Sequence, residues 1–218
     1  MSASSHTITQ LIAGVGQFSK KQCTPNSHYN KAVEVGQTAK IMVVSCSDSL
    51  VDPLALMGAE PGELFIHRNI AGLIPPYQGD DIDNYHATSA ALEHGVRNLE
   101  VQHLIVLGHG YCGGIAALID NSSTPPPGGS FIHTWMQIAA PAKIKMQKEH
   151  PDLSRLEQRH FCEKESVSIS LANLMSFPWI KKRVTAKNLL LHGWHFDRGA
   201  LSVYNEQEAT PTWELAHK

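Results

Sequence analysis

Two short stretches put metal-seeking atoms where apolar runs stop. Ser45-Cys46-Ser47-Asp48 follows "KIMVV" and supplies a thiol, a carboxylate and hydroxyls, while His109-Gly110-Tyr111-Cys112 follows "HLIVLG" and supplies an imidazole and a second thiol. If both runs are strands of one parallel sheet, these groups arrive at the same rim, where open sheets bind ligands. Two thiolates and one imidazole are three of the four ligands zinc takes, and catalytic zinc sites leave the fourth position open. Gly108, Gly110, Gly113 and Gly114 let the backbone turn tightly there and enter a helix. Other readings stand beside this one. Buried cysteines are common in cores, Cys46 and Cys112 form a conceivable disulfide, and glycines after a strand suggest a phosphate loop. That last reading is set aside because no G-x-x-x-x-G-K-[ST] motif is present. Pattern alone leaves metal site, disulfide and core thiols open.

The elements that must position these residues follow from periodicity. Apolar segments at 40–45, 63–68, 103–108 and 188–194 have strand length, and three of them are nearly continuous, the pattern of strands buried on both faces. Helical stretches separate them, and Val167, Leu171, Leu174 and Met175 share one stripe of the last. Alternation of this kind predicts an α/β fold, a mainly parallel central sheet flanked by helices. "HFDRGALSVY" predicts a terminal hairpin turning at Asp197-Arg198-Gly199, which adds an antiparallel C-terminal edge strand. Ile8, Leu11, Ile12, Val15 and Phe18 recur at helical spacing and predict an N-terminal helical arm that packs on another element or subunit. "NSSTPPPGGS" at 121–130 reads as a surface loop.

Composition narrows the function classes. The 218 residues are 42% hydrophobic and 17% charged, a globular balance, and a net charge of -2 gives no basic footprint for nucleic acid. No apolar run reaches the roughly 20 residues that span a bilayer. The N-terminal residues lack a basic leader before an apolar core. With four cysteines and no export pattern, free or metal-bound thiols in a reducing, cytoplasmic setting are expected. Cys162 is expected at the start of a helix and Cys23 in an exposed turn. His67 and His103 lie in strands without an evident metal partner.

Taken together, "CSDS", "PGELF" with "HRNIAGLIPPY", "VLGHGYCGG", "CEKESVSISLANLMSFP" and "LHGWHFD" resemble the β-class carbonic anhydrases, near their plant-type branch. The resemblance runs through roughly residues 35 to 205 and divides the chain into an arm, 1–30, and a single zinc-binding α/β domain, 31–218. It implies a Zn2+ lyase interconverting carbon dioxide and bicarbonate, working as a homodimer or larger assembly with its pocket at the subunit boundary. By the same resemblance Cys46, His109 and Cys112 hold zinc, and Asp48 accepts a hydrogen bond from the zinc-bound hydroxide. Gln37 binds bicarbonate, and Phe65, Gly110 and His94 line the substrate pocket.

Two positions depart from the family pattern. Leu50 stands where most members carry the arginine that pairs with the aspartate, and His94 stands where the plant branch has a tyrosine. Without that arginine, Asp48 is expected to serve part of the time as a fourth zinc ligand, in a closed state that slows the enzyme or gates it by pH. Arg68 is the nearest replacement cation. Val43, in place of a tryptophan, argues against the noncatalytic bicarbonate site of one bacterial branch. The competing functions are a catalytically silent zinc-fold binding module and a hydrolase of carbonyl sulfide or carbon disulfide.

Overall fold

A computed structural model describes residues 7–79, 85–120, 129–205 and 212–218. The sheet at its centre has the order β2-β1-β3-β4-β5-β6. Strands β1 (Ile41–Cys46), β2 (Leu64–Asn69), β3 (His103–His109) and β4 (Leu190–Asp197) run parallel. Strands β5 (Ala200–Asn205) and β6 (Thr212–His217) complete the sheet antiparallel. The expected hairpin is present, with Arg198 and Gly199 at positive φ in its two-residue turn. It does not end the sheet. The antiparallel C-terminal edge strand is β6, one strand beyond the hairpin, and "TWELAH" is short, mostly exposed and weakly alternating.

Side chains alternate across the strands. Met42, Val44, Leu104 and Val106 face one core, closed by Val167, Leu171, Leu174 and Phe177. Val43, Ile105 and Leu107 face the other, against Leu54 and Met57. Helix α1 is Ile8–Gln22, α2 His28–Val35, α3 Pro53–Met57, α4 Ala87–Glu93 and α5 Gly113–Asp120. Helices α6 (Phe131–Met136), α7 (Ala140–Glu149), α8 (Arg155–Leu174) and α9 (Pro178–Thr185) follow.

Helix α8 starts at a capping box, Ser154 with Glu157, and lays its apolar stripe on β3 and β4. It sits close because the sheet offers glycine beneath it. A Cβ on Gly108 would lie 2.7 Å from Val167 Cγ2, and one on Gly193 would lie 2.8 Å from Leu171 Cδ1. Cys162 is fully buried in the body of this helix, not at its start as expected, and burial pushes its thiol up to about 11.

Helix α1 forms as expected, and α2 runs across residue 30. The apolar stripe of α1, Ile8, Leu11, Ile12, Val15 and Phe18, faces solvent. Most of the expected loop at 121–130 lies outside the described residues. No helix among the described residues is long and apolar enough to cross a membrane.

Candidate metal centre

Strands β1 and β3 are neighbours, and each ends on a metal-seeking residue: Cys46 on β1, His109 on β3. Three residues on, Cys112 sits immediately before α5. The two sulfurs are 4.0 Å apart, and all four cysteines are free. The ligand atoms of Cys46, His109 and Cys112 lie within 4.8 Å of one another. His109 Nδ1 is 2.9 Å from Gly110 O and so carries the proton, which leaves Nε2 buried with no hydrogen-bond partner.

The backbone serves the sulfurs. Cys46 Sγ accepts from Asp48 N–H at 3.3 Å and from Ala71 N–H at 3.1 Å. The second bond needs a tight turn after β2. Ala71 and Gly72 both take positive φ, and a Cβ on Gly72 would stand 3.3 Å from the Cys46 nitrogen. The hydrogen bond with Cys112 holds the Cys46 thiol well below its usual value against the effect of burial, helped by His109 and by Asp48 N–H. That same bond, with burial and the Cys46 charge, pushes Cys112 up. Burial pulls His109 down, yet the neighbouring Cys46 sulfur and the Gly110 carbonyl leave it raised overall. Cys46 alone is thereby favoured as a thiolate, while the Cys112 and His109 shifts work against a second thiolate beside a neutral imidazole. A divalent cation removes the conflict, so donor set and electrostatics fit a metal.

Asp48 is placed by an amide. Its Oδ2 accepts from Gly113 N–H, the first of α5, at 3.1 Å. A Cβ on Gly113 would lie 2.6 Å from that oxygen. The carboxylate stands outside the three-ligand group. Here the helix terminus takes the carboxylate. Among the described residues no cation pairs with it. Arg68, the expected replacement, is committed elsewhere. Its Nε and Nη2 donate to Cys46 O at 3.1 and 2.7 Å, Nη2 also to Ser49 O at 2.9 Å, and Nη1 lies 3.9 Å from Asp52. Arg68 thus braces the loop that carries Asp48 without touching the carboxylate. Leu50 is fully exposed.

The pocket residues divide between the two ends of the sheet. Gly110 lies at the metal end, where a Cβ would meet Asp197 Oδ1 at 2.5 Å. Phe65 pairs in register with Met42, four residues before the Cys46–Asn69 pair, roughly 13 Å along the strands at ~3.3 Å per residue. His94 opens a π-helical turn and packs on Phe65, ring centroids 5.4 Å apart. Gln37 precedes β1, exposed, its Oε1 accepting from Ala39 N–H at 3.0 Å. Within one chain, Gln37, Phe65 and His94 do not reach the thiols.

Two residues escaped the sequence reading. Glu163 of α8, 4% exposed, accepts from Cys112 N–H through Oε1 at 3.1 Å, and its Oε2 lies 3.3 Å from buried His195 Nε2. The only hint was an acid inside a helix that must bury that face. The run Gly108-x-Gly110-x-x-Gly113 does have dinucleotide-loop spacing. Its amides are already spent, Cys112 N–H on Glu163 and Gly113 N–H on Asp48, which excludes phosphate there on physical grounds. His103 also has a partner, His192, at 3.0 Å.

Comparison with known proteins agrees with this geometry. The sequence profile described as carbonic anhydrase matches residues 41–201. Beta carbonic anhydrase 3 of Arabidopsis thaliana is 35% identical over 213 residues, covering 96% of this chain and 81% of that protein. The solved β-carbonic anhydrase CcaA superposes with a TM-score of 0.81 at 25% identity, over 95% of this chain and 92% of that one. A tetrameric β-carbonic anhydrase of Sordaria macrospora gives 0.72 at 25% identity, over 94% and 96%. The chain belongs to the carbonic anhydrase family, in its β class. It is an enzyme of that family with a Cys-His-Cys metal site.

Proposed function

We propose that the chain hydrates carbon dioxide reversibly to bicarbonate and a proton, with zinc held by Cys46, His109 and Cys112. The carrying observation is a pair of free thiols 4.0 Å apart beside an imidazole nitrogen that is buried and unpartnered. Zinc bound there supplies Lewis acidity, which brings the pKa of water from 15.7 to about 7. Asp48, anchored through Oδ2, leaves Oδ1 to accept a hydrogen bond from the attacking water and so aim its lone pair. Carbon dioxide is apolar and asks for a dry wall, which Phe65 provides. The Gln37 amide holds the bicarbonate oxygens, and His94 replaces the plant-branch phenol as a hydrogen-bond partner.

Since those three residues stand at the far end of their own sheet, the active unit in this reading is a homodimer or larger. Each chain brings its Gln37, Phe65 and His94 to its partner's metal. The apolar face of α1 supports such packing, and the Sordaria relative is tetrameric. The plant-type assignment rests on the Arabidopsis likeness.

Leu50 in place of arginine belongs to the same proposal. A neutral amide holds a carboxylate less firmly than a guanidinium does. Asp48 therefore turns toward the metal more readily, and activity is depressed near neutrality and recovers in alkali. Stopped-flow hydration across pH by the parent and Leu50→Arg, with zinc content measured on the same samples, tests both levels. The variant should be several-fold faster near neutrality and the two should converge in alkali. A ratio of one throughout removes the gate, whereas zinc-loaded protein without hydration at any pH overturns the function.

A further inference from the structure

Behind the Gly110–Cys112 turn a second set of ligating side chains converges. His160 and Glu163 lie three residues apart on α8 and share a face, and His195 reaches them from β4 beside Gly108. His195 Nε2 is 3.3 Å and His160 Nδ1 3.8 Å from Glu163 Oε2, and the three ligand atoms lie within 4.8 Å of one another. The two imidazoles stand at 90°, ring centroids 5.1 Å apart. Glu163 and His195 are buried, at 4% and 1% exposure, and His160 is 45% exposed. His160 and Glu163 line a cavity of about 540 Å³, with Tyr111, Lys164, Asp197 and Trp213 among its walls.

A hydrogen bond from His195 alone would satisfy Glu163 Oε2, and His160 at 3.8 Å is beyond hydrogen-bond reach of it. What the second imidazole completes is a ligand set. Tetrahedral zinc with bonds of about 2.0–2.2 Å holds its ligand atoms roughly 3.3–3.6 Å apart. The His195 contact is already at that spacing, and half-exposed His160 needs only a small rotation. Burial, with His195 and Lys164 nearby, keeps His160 below the usual imidazole value, so it is a free-base ligand near neutrality. The Lys164 ammonium lies over the Trp213 ring, 5.4 Å from its centroid.

We propose that His160, Glu163 and His195 form a second divalent transition-metal site, separate from the Cys-His-Cys centre. It takes Zn2+ or Co2+, and its fourth position opens to the cavity. The two sites share one carboxylate, since Glu163 Oε1 holds the Cys112 amide while Oε2 faces the imidazoles.

Zinc-loaded protein, desalted and titrated with Co2+, tests this by counting metals per chain and recording the visible spectrum. The expected result is one cobalt bound beyond the resident zinc, with d–d bands and no sulfur-to-cobalt charge transfer. His160→Ala and His195→Gln should each abolish the extra equivalent and keep the first zinc. His160 is exposed enough for its variant to fold. No second equivalent at micromolar cobalt would overturn the proposal. So would a second equivalent that persists in both variants, or thiolate charge-transfer bands showing that cobalt had merely displaced zinc.

Discussion

The two ends of the parallel strands are built on different terms. At the end that carries Cys46, His109 and Cys112, most of the chemistry-bearing groups are held by their own chain, with His109 Nε2 left for a metal. Amides feed the Cys46 sulfur, Asp48 and Glu163 each hold an amide of the Cys112–Gly113 turn, and Arg68 ties down two carbonyls. Glycines there lie against side chains and leave no room for a methyl group. At the opposite end Gln37 and His94 are exposed, and Phe65 is only partly covered. One end is finished by its own chain, and the other has chemistry-bearing side chains facing outward. If Gln37, Phe65 and His94 serve the metal as proposed, a single chain carries both parts of a site that it cannot assemble alone.

The sharpest way to break that comparison is to separate the two ends genetically. Cys112→Ser should lose stoichiometric zinc, and Gln37→Ala with Phe65→Ala should keep zinc, both with hydration near background. Unfolding and refolding the two variants together should restore activity, because mixed dimers contain one intact pairing of ends. Continued silence of the mixture, with dimers demonstrated, would place both ends in one chain's site. Next in size is packing. Gly108→Ala should cost about 1–3 kcal/mol by denaturant unfolding, through the 2.7 Å clash with Val167. Gln37→Ala, exposed, should stay within about 0.5 kcal/mol. Equal costs would erase the contrast.

The smallest effect is a pH dependence carried by two histidines in the middle of the strands. Burial holds His192 and His67 below the ordinary imidazole value. The unfolded chain therefore takes up protons first, near 6.5. Stability is full above that value and is lost as pH falls through it toward the lower folded values. The denaturation midpoint should drop between about pH 7.5 and about pH 5.5, and His192→Gln should flatten the drop. Identical slopes for parent and variant would show that His192 does not carry the acid sensitivity.

What the sequence disclosed followed from how local the signal was. Strands β1 and β3 were legible because burial on both faces leaves near-continuous apolar runs, and β4 because it opens on the run Leu189-Leu190-Leu191. Cys46, His109 and Cys112 were legible because each lies within a few residues of a strand end. Strand β6 was not, since an exposed edge has little pattern to show. The partner of Asp48 was invisible for another reason. A search for a cation looks among side chains, and the structure answers with the Gly113 amide. Glu163 is 51 residues from the cysteine amide it holds, a distance that only the fold can close.

If copies pair as proposed, the outward stripe of α1 bears on the life of the protein before they meet. Each newly made chain displays Ile8, Leu11, Ile12, Val15 and Phe18 to water, an adhesive strip that no other described residue covers beyond Tyr29 against Phe18. Synthesis in dilute conditions leaves that strip open to unrelated partners and to clumping. Abundant synthesis lets sister chains meet first. The yield of sound enzyme thus depends on how fast copies are produced as well as on how well each one folds.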